Sequence, residues 1–252
     1  MLKTTKFYFL ILCVCFYFKT NAQYFVNIES GAVFTGLNDI RRGVDGTLLS
    51  LRNDLESPSS PFLRLRLGFL HNEKHYFSLL YAPLKLTATG SLNSDVLFDG
   101  INYKANLPLE AIYKFNSYRF TYNRRIINTD AFKLGLGLSA KIRDAGSSLR
   151  NENEFASDFN VGFVPLINII STWQISKKFG FELFGDGLAA SRGRAIDIAI
   201  TTTYNFTKNL QANVGYRILD GGSDGKGSYN FVQFHFAVIS LTYQFKKINT
   251  SY

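Results

Sequence analysis

Near the end of the chain Ile239, Leu241, Tyr243 and Phe245 alternate with Ser240, Thr242 and Gln244. A period of two places successive side chains on opposite faces of an extended strand, so one face here is apolar and the other polar. The same split recurs along the chain. Leu63, Leu65, Leu67 and Phe69 oppose Arg64, Arg66 and Gly68. Phe132, Leu134, Leu136, Leu138, Ala140 and Ile142 oppose Lys133, Gly135, Gly137, Ser139, Lys141 and Arg143. Ile196, Ile198, Ile200, Tyr204 and Phe206 oppose Asp197, Thr201, Thr203 and Asn205, and Val214, Tyr216 and Ile218 oppose Asn213, Gly215 and Arg217. The pattern predicts strands over 24–35, 61–71, 75–87, 112–127, 132–143, 159–174, 179–190, 194–206, 209–219 and 230–245. Segment 75–87 alternates least and contains Pro83.

The connections set the architecture. Those at 72–74, 128–131, 176–178 and 207–209 are short, whereas 36–60, 88–111, 144–158 and 220–229 read as long and polar, with a brief link near Arg192. Short and long links alternate, so tight turns gather at one end and loops at the other. This predicts an all-β fold, an up-and-down antiparallel transmembrane β-barrel of about ten strands. Eight or twelve strands stay open, because Asp95–Leu107 has room for another hairpin.

The polar faces decide what the apolar faces meet. They carry Arg64, Arg66, Arg119, Arg125, Lys141, Arg143, Asp197 and Arg217. A dry core cannot take so many ions without a heavy desolvation cost. Apolar faces turned to lipid and polar faces turned to a lumen remove that cost. Aromatic residues should then ring the short-turn end: Phe132, Trp173, Phe179, Tyr204, Phe206, Tyr243 and Phe245 are the expected periplasmic girdle.

The lumen set is Glu29, Glu182, Asp186 and Asp197 with Arg64, Arg66, Arg119, Arg125, Lys141, Arg143 and Arg217. One reading is a salt-bridge network that fills a narrow barrel. The other is an anion-attracting conduit, because bases outnumber acids in this set. Ten strands leave a lumen only modestly wider than the side-chain-filled eight-strand case.

Residues 1–22 read as a secretory signal peptide, leaving 23–252 as a single barrel domain. Lys3 and Lys6 precede the apolar run Phe7–Phe18, and Thr20 and Ala22 put small residues before a cut ahead of Gln23. That run is shorter than the roughly 20 residues a spanning helix needs. Both cysteines, Cys13 and Cys15, fall inside it, so the mature chain has no disulfide or thiolate chemistry. Cleavage removes three lysines and no acid, which lowers the formal charge from +9 to +6. A basic exported chain points to anionic lipid or glycan rather than nucleic acid.

Candidate chemistry is sparse. His235-Phe236-Ala237 has Ala where a His-x-Ser pair of lipid A deacylase-type barrels would place its serine, so His235 reads as an interfacial residue. His71 and His75 flank a tight turn and read as turn decoration rather than metal ligands. No histidine falls in the long loops, so the chemistry of omptin-type proteases is not expected. Gly185–Arg194 lacks the Lys-Ser/Thr of a phosphate loop, and 220–229 lacks the terminal acid of a calcium loop. No catalytic, cofactor-binding or metal site is predicted.

The last strand, with Leu241, Tyr243 and Phe245 at two-residue steps, resembles the terminal-strand signal by which outer-membrane barrels are recognised for insertion, although Lys246–Tyr252 follow it. The Gln23 start after Thr20-Asn21-Ala22 resembles exported proteins of Bacteroidota. The chain thus resembles the small outer-membrane barrels of porin-like and OmpA-like type. That resemblance implies a cell outer-membrane location, contact with outer-membrane lipid and lipopolysaccharide, and handling by the barrel assembly machinery. It implies a structural or surface-interaction role, with a narrow anion-permeable pore or a lipid-modifying enzyme as alternatives.

Overall fold

The computed structural model describes residues 22–191, 193–225 and 227–245. The predicted signal peptide lies outside them, except for Ala22, which opens the first strand. In chain order the strands are β1 (Ala22–Arg42), β2 (Leu49–Ser50), β3 (Ser60–His71), β4 (His75–Ala82), β5 (Lys85–Ser91), β6 (Val96–Phe98), β7 (Ile101–Tyr103), β8 (Pro108–Asn128), β9 (Phe132–Arg150), β10 (Phe155–Gln174), β11 (Phe179–Ala190), β12 (Gly193–Asn205), β13 (Leu210–Gly225) and β14 (Ser228–Gln244). Each wall strand pairs antiparallel with the next, and β14 returns to β1 over Phe25↔Gln244 to Arg42↔Ser228, which closes the barrel. Segment 75–87 breaks at Pro83 into β4 and β5, and both pair with β8 as one wall strand. The wall therefore has ten strands.

The stretch 88–111 does hold a hairpin, but outside the wall. β6 and β7 form a separate two-stranded sheet. Asp99 and Gly100 join them with positive φ angles of 50° and 79°, the two-residue turn whose twist suits a hairpin.

The expected loops 144–158 and 220–229 are largely strand, and 36–60 opens as strand. β1 runs on to Arg42, β9 and β10 continue to Arg150 and from Phe155, and β13 and β14 to Gly225 and from Ser228. The long connections of the far end reduce to 43–59 and 92–107, with 151–154 as a tight turn and Gly225 paired with Ser228. The wall rises above the apolar belt on these extensions. There both faces of a strand meet polar surroundings or packed loops, so the alternation that marks a strand in lipid fades.

The outward faces are apolar. Ile239, Leu241, Tyr243 and Phe245 are exposed, as are Leu63, Leu67, Leu138, Ile142, Ile200 and Val214. Without lipid such a continuous belt would be an aggregation surface.

The inward faces change character along the barrel. Toward the short turns β14 presents Ser240, Thr242 and Gln244 inward; toward the far end the same parity presents Phe234, Phe236 and Val238, all buried. β8 changes likewise, from Thr121 and Asn123 to Tyr113 and Phe115. Leu49, Leu51 and Leu55 of the first loop and Val96, Phe98 and Tyr103 of the hairpin pack onto this upper lining as one apolar core. Backbone bonds stitch the two loops together: Thr47 N donates to Leu97 O at 2.8 Å, and Glu56 and Thr89 exchange bonds at 2.8 and 3.0 Å. Tyr103 donates its hydroxyl to Leu149 O at 2.9 Å. An apolar plug therefore packs into the end where long polar loops are expected from the sequence.

Candidate functional site

At mid-height the lumen is crossed by ions. Alternation points Glu29 of β1, Arg64 of β3, Arg119 of β8, Asp186 of β11, Asp197 of β12 and Arg217 of β13 inward, and the closure of the barrel brings them to one level. Arg119 bridges Asp186 and Asp197, both at 2.6 Å, and neither Arg119 nor Asp186 has any exposed side-chain surface. Arg64 bridges Asp197 at 3.1 Å and Glu29 at 3.2 Å. Arg217 closes the set onto Glu29 at 2.8 Å and Asp197 at 2.5 Å. Three guanidiniums meet three carboxylates, so this ring is charge-balanced.

Neutral groups complete it. Ser139 and Asn168 donate to Asp186 Oδ1 at 2.7 and 2.8 Å, Asn123 donates to Asn168 Oδ1 at 2.8 Å, and Ser117 accepts from Arg119 Nε at 3.2 Å. Fork-shaped guanidiniums shared between carboxylates make short, directional, charge-assisted bonds. A fully connected network of this kind is rigid, and it is costly to break at one member.

The other residues of the inward set lie off the ring. Arg66 stacks on Phe184, 4.1 Å from its centroid, and donates to Ser78 Oγ at 3.4 Å. Arg66, Arg125 and Glu182 line a vestibule of about 370 Å³ on the short-turn side, together with Lys133, Asn27 and Gln211. Arg125 also donates to the Glu73 carbonyl at 3.2 Å. Lys141 and Arg143 lie on the far side, where Lys141 Nζ rests 4.6 Å from the Phe115 centroid and Arg143 donates to Asn160 at 3.1 Å. The seven-to-four excess of bases is therefore divided among three levels, and no single cationic column runs the length of the lumen.

The aromatic residues gather at the short-turn end in pairs. Ring centroids are 5.6 Å apart for Phe132 and Trp173, 5.0 Å for Phe179 and Tyr204, 4.9 Å for Tyr204 and Phe206, and 5.1 Å for Tyr243 and Phe245. His75 Nδ1 lies 3.0 Å from the Tyr122 hydroxyl and His71 Nε2 lies 3.0 Å from Asn72 Nδ2. His235 faces outward beside the Tyr216 hydroxyl and over Gly36, where an added Cβ would come within 2.5 Å of its Nε2.

Sequence reasoning missed the apolar plug. Its signal was present as a swap of polarity within one strand face, Phe234, Phe236 and Val238 giving way to Ser240, Thr242 and Gln244.

No family model matches the chain, and no curated protein matches it. Among solved structures, the outer membrane protease OmpT from Escherichia coli aligns over 88% of this chain and 97% of its own, with a TM-score of 0.52 at 11% sequence identity. The fold is that of an outer-membrane β-barrel. Identity this low speaks for the backbone alone. The translocator domain of the autotransporter NalP from Neisseria meningitidis aligns over 96% of this chain and 95% of its own, with a TM-score of 0.45 at 10% identity. The attachment invasion locus protein Ail of Yersinia pestis aligns over 88% and 98%, with a TM-score of 0.37 at 11% identity.

Proposed function

We propose that the protein is a sealed, non-catalytic outer-membrane barrel of the small porin-like and OmpA-like kind, acting as a structural or surface-interaction element through its outer end. The observation that carries this reading is the pair of closures in series, the charge-balanced ring and the apolar plug above it. An ion crossing the barrel would have to part guanidiniums from carboxylates and then pass a core lined by Phe98, Tyr113 and Phe234, which offers nothing to replace its hydration shell. A narrow anion-permeable pore is the alternative. The excess bases on either side of the ring favour anions, and the neutral ring weighs against passage.

In this reading the short turns lie in the periplasm, the belt contacts outer-membrane lipid and lipopolysaccharide, and the last strand presents Tyr243 and Phe245 to the barrel assembly machinery. Residues 1–22 serve as the export signal of a Bacteroidota-type protein. Nucleic acid and cofactors have no part in it.

Swelling of proteoliposomes tests the seal. Vesicles carrying the folded protein should swell in isotonic arabinose or sodium chloride no faster than empty vesicles. Faster swelling that scales with protein content would contradict the reading.

A further inference from the structure

The wall is not continuous where the apolar belt ends. β10 pairs with β11 only over Ile167–Gln174, whereas its upper half, Phe155–Leu166, is paired on the β9 side alone. Two features of the sequence produce this gap. Pro165 has no N–H to give a ladder, and the β11–β12 ladder ends at the pair Ala190↔Gly193 while β10 continues to Phe155. The gap opens at the edge of the belt. On β9 the outward residues change from Ile142 to Asp144, on β12 from Ile198 to Arg194, and on β13 from Ile218 to Asp220.

Behind it lies a cavity of about 340 Å³. Its lining joins residues of the outer wall surface, Phe163 and Ile196, to residues of the interior, Phe115 and Leu219, so it passes through the wall. Lys141, Arg143 and Arg194 are its cations, and Arg194 is paired with Asp220. Among the described residues neither Lys141 nor Arg143 has a carboxylate within ion-pair distance, and Lys141 is only 4% exposed. Arg143 Nε and Asn230 Oδ1, both on this cavity, are buried without a hydrogen-bond partner. Asp220 at the rim is already engaged by Arg194 and Gln233.

An apolar cavity that opens to lipid and holds two cations without counter-ions is complementary to one acyl chain bearing one acid. We propose that this cavity takes up a single-chain anionic amphiphile, a long-chain carboxylate, laterally from the outer leaflet. It enters between β10 and the β11–β12 hairpin. Lys141 and Arg143 hold the carboxylate, and Phe115, Phe163 and Leu219 cover the chain.

Gly162 supplies a block that leaves both cations in place. A Cβ there would have Arg143 Nη2 as its nearest neighbour at 3.6 Å, so a larger side chain enters the cavity without striking backbone. Leu188, exposed at the hairpin tip and also on the lining, gives a second block from outside.

The test uses the folded protein in phosphatidylcholine nanodiscs with dodecanoic acid carrying a terminal diazirine. Crosslinks should map to peptides spanning 113–115, 159–164 and 188–196. Removing the cations with Lys141→Met and Arg143→Gln should weaken labelling about tenfold, the worth of a lost charge-assisted bond. Gly162→Leu, or Leu188→Trp should the first not fold, should abolish it, and excess propionate should not compete. Labelling spread evenly around the belt, undiminished labelling in the blocked variants, or equal labelling by the matching dodecylamine would overturn the proposal. Competition by propionate would overturn the lateral route and leave a site for water-soluble carboxylates.

Discussion

Asp197 is the residue on which the ring depends. It accepts from Arg64, Arg119 and Arg217, so its loss leaves three buried guanidiniums facing two carboxylates. Asp197→Asn keeps the volume and removes the charge. Breaking one partner of a buried ionic set costs about 3–5 kcal/mol, and that shift is expected in the urea unfolding midpoint of the barrel in lipid vesicles. An unchanged midpoint would show that the ring adds no stability. Outside the belt, Asp95 organises the approach to the hairpin. Its carboxylate accepts from Lys104 Nζ at 2.8 Å, from Ala105 N at 2.9 Å and from Asn102 at 3.3 Å. These bonds, the Lys104 ammonium first, lower its pKa to about 2. A lowered pKa means that the contact is fully present above the ordinary carboxylate range and is lost as pH falls toward 2. Carbon NMR of the Asp95 carboxyl should titrate near 2 and return toward about 3.9 in Lys104→Met.

Among the elements, the loop plug is the least expected part. Phe98 has no exposed surface and sits among residues from the loops and the wall. Phe98→Ala should cost about 3–5 kcal/mol and loosen the hairpin. The readout is trypsin cleavage after Lys104 in intact proteoliposomes, expected to be rapid in the variant and slow in the native protein. What the sequence discloses follows from where lipid is. Most wall strands show through period-two contrast, because inside the belt one face meets acyl chains and the other does not, and 75–87, broken at Pro83, shows it least. The contrast ends above the belt. Asp144 to Arg150 and Asp220 to Gly225 are strand in the barrel yet read as polar loops. β1 adds a second reason. A bulge between Thr35 and Leu37 switches the inward parity from Glu29 and Val33 to Asn38 and Ile40, which erases the alternation. For the charged set, parity gives the inward direction but not the height. Arg119 and Arg125 share a face of one strand, and only Arg119 reaches the ring, because height depends on tilt and register between strands far apart in sequence.

For the whole molecule, the wall, ring and plug describe a barrel closed at two levels by different physics. The ring is electrostatic and the plug hydrophobic, so in the proposed sealed barrel each would oppose passage by a different cost, the parting of ion pairs at the ring and dehydration at the plug. A vestibule remains open on the short-turn side, and it ends blindly at the ring. The belt carries the membrane contact. The most direct test is single-channel recording of the folded protein in a planar bilayer under a salt gradient. The account predicts a silent bilayer from barrels verified as folded. Reproducible steps with an anion-favouring reversal potential would contradict it and make Arg64, Arg119 and Arg217 the lining of a pore.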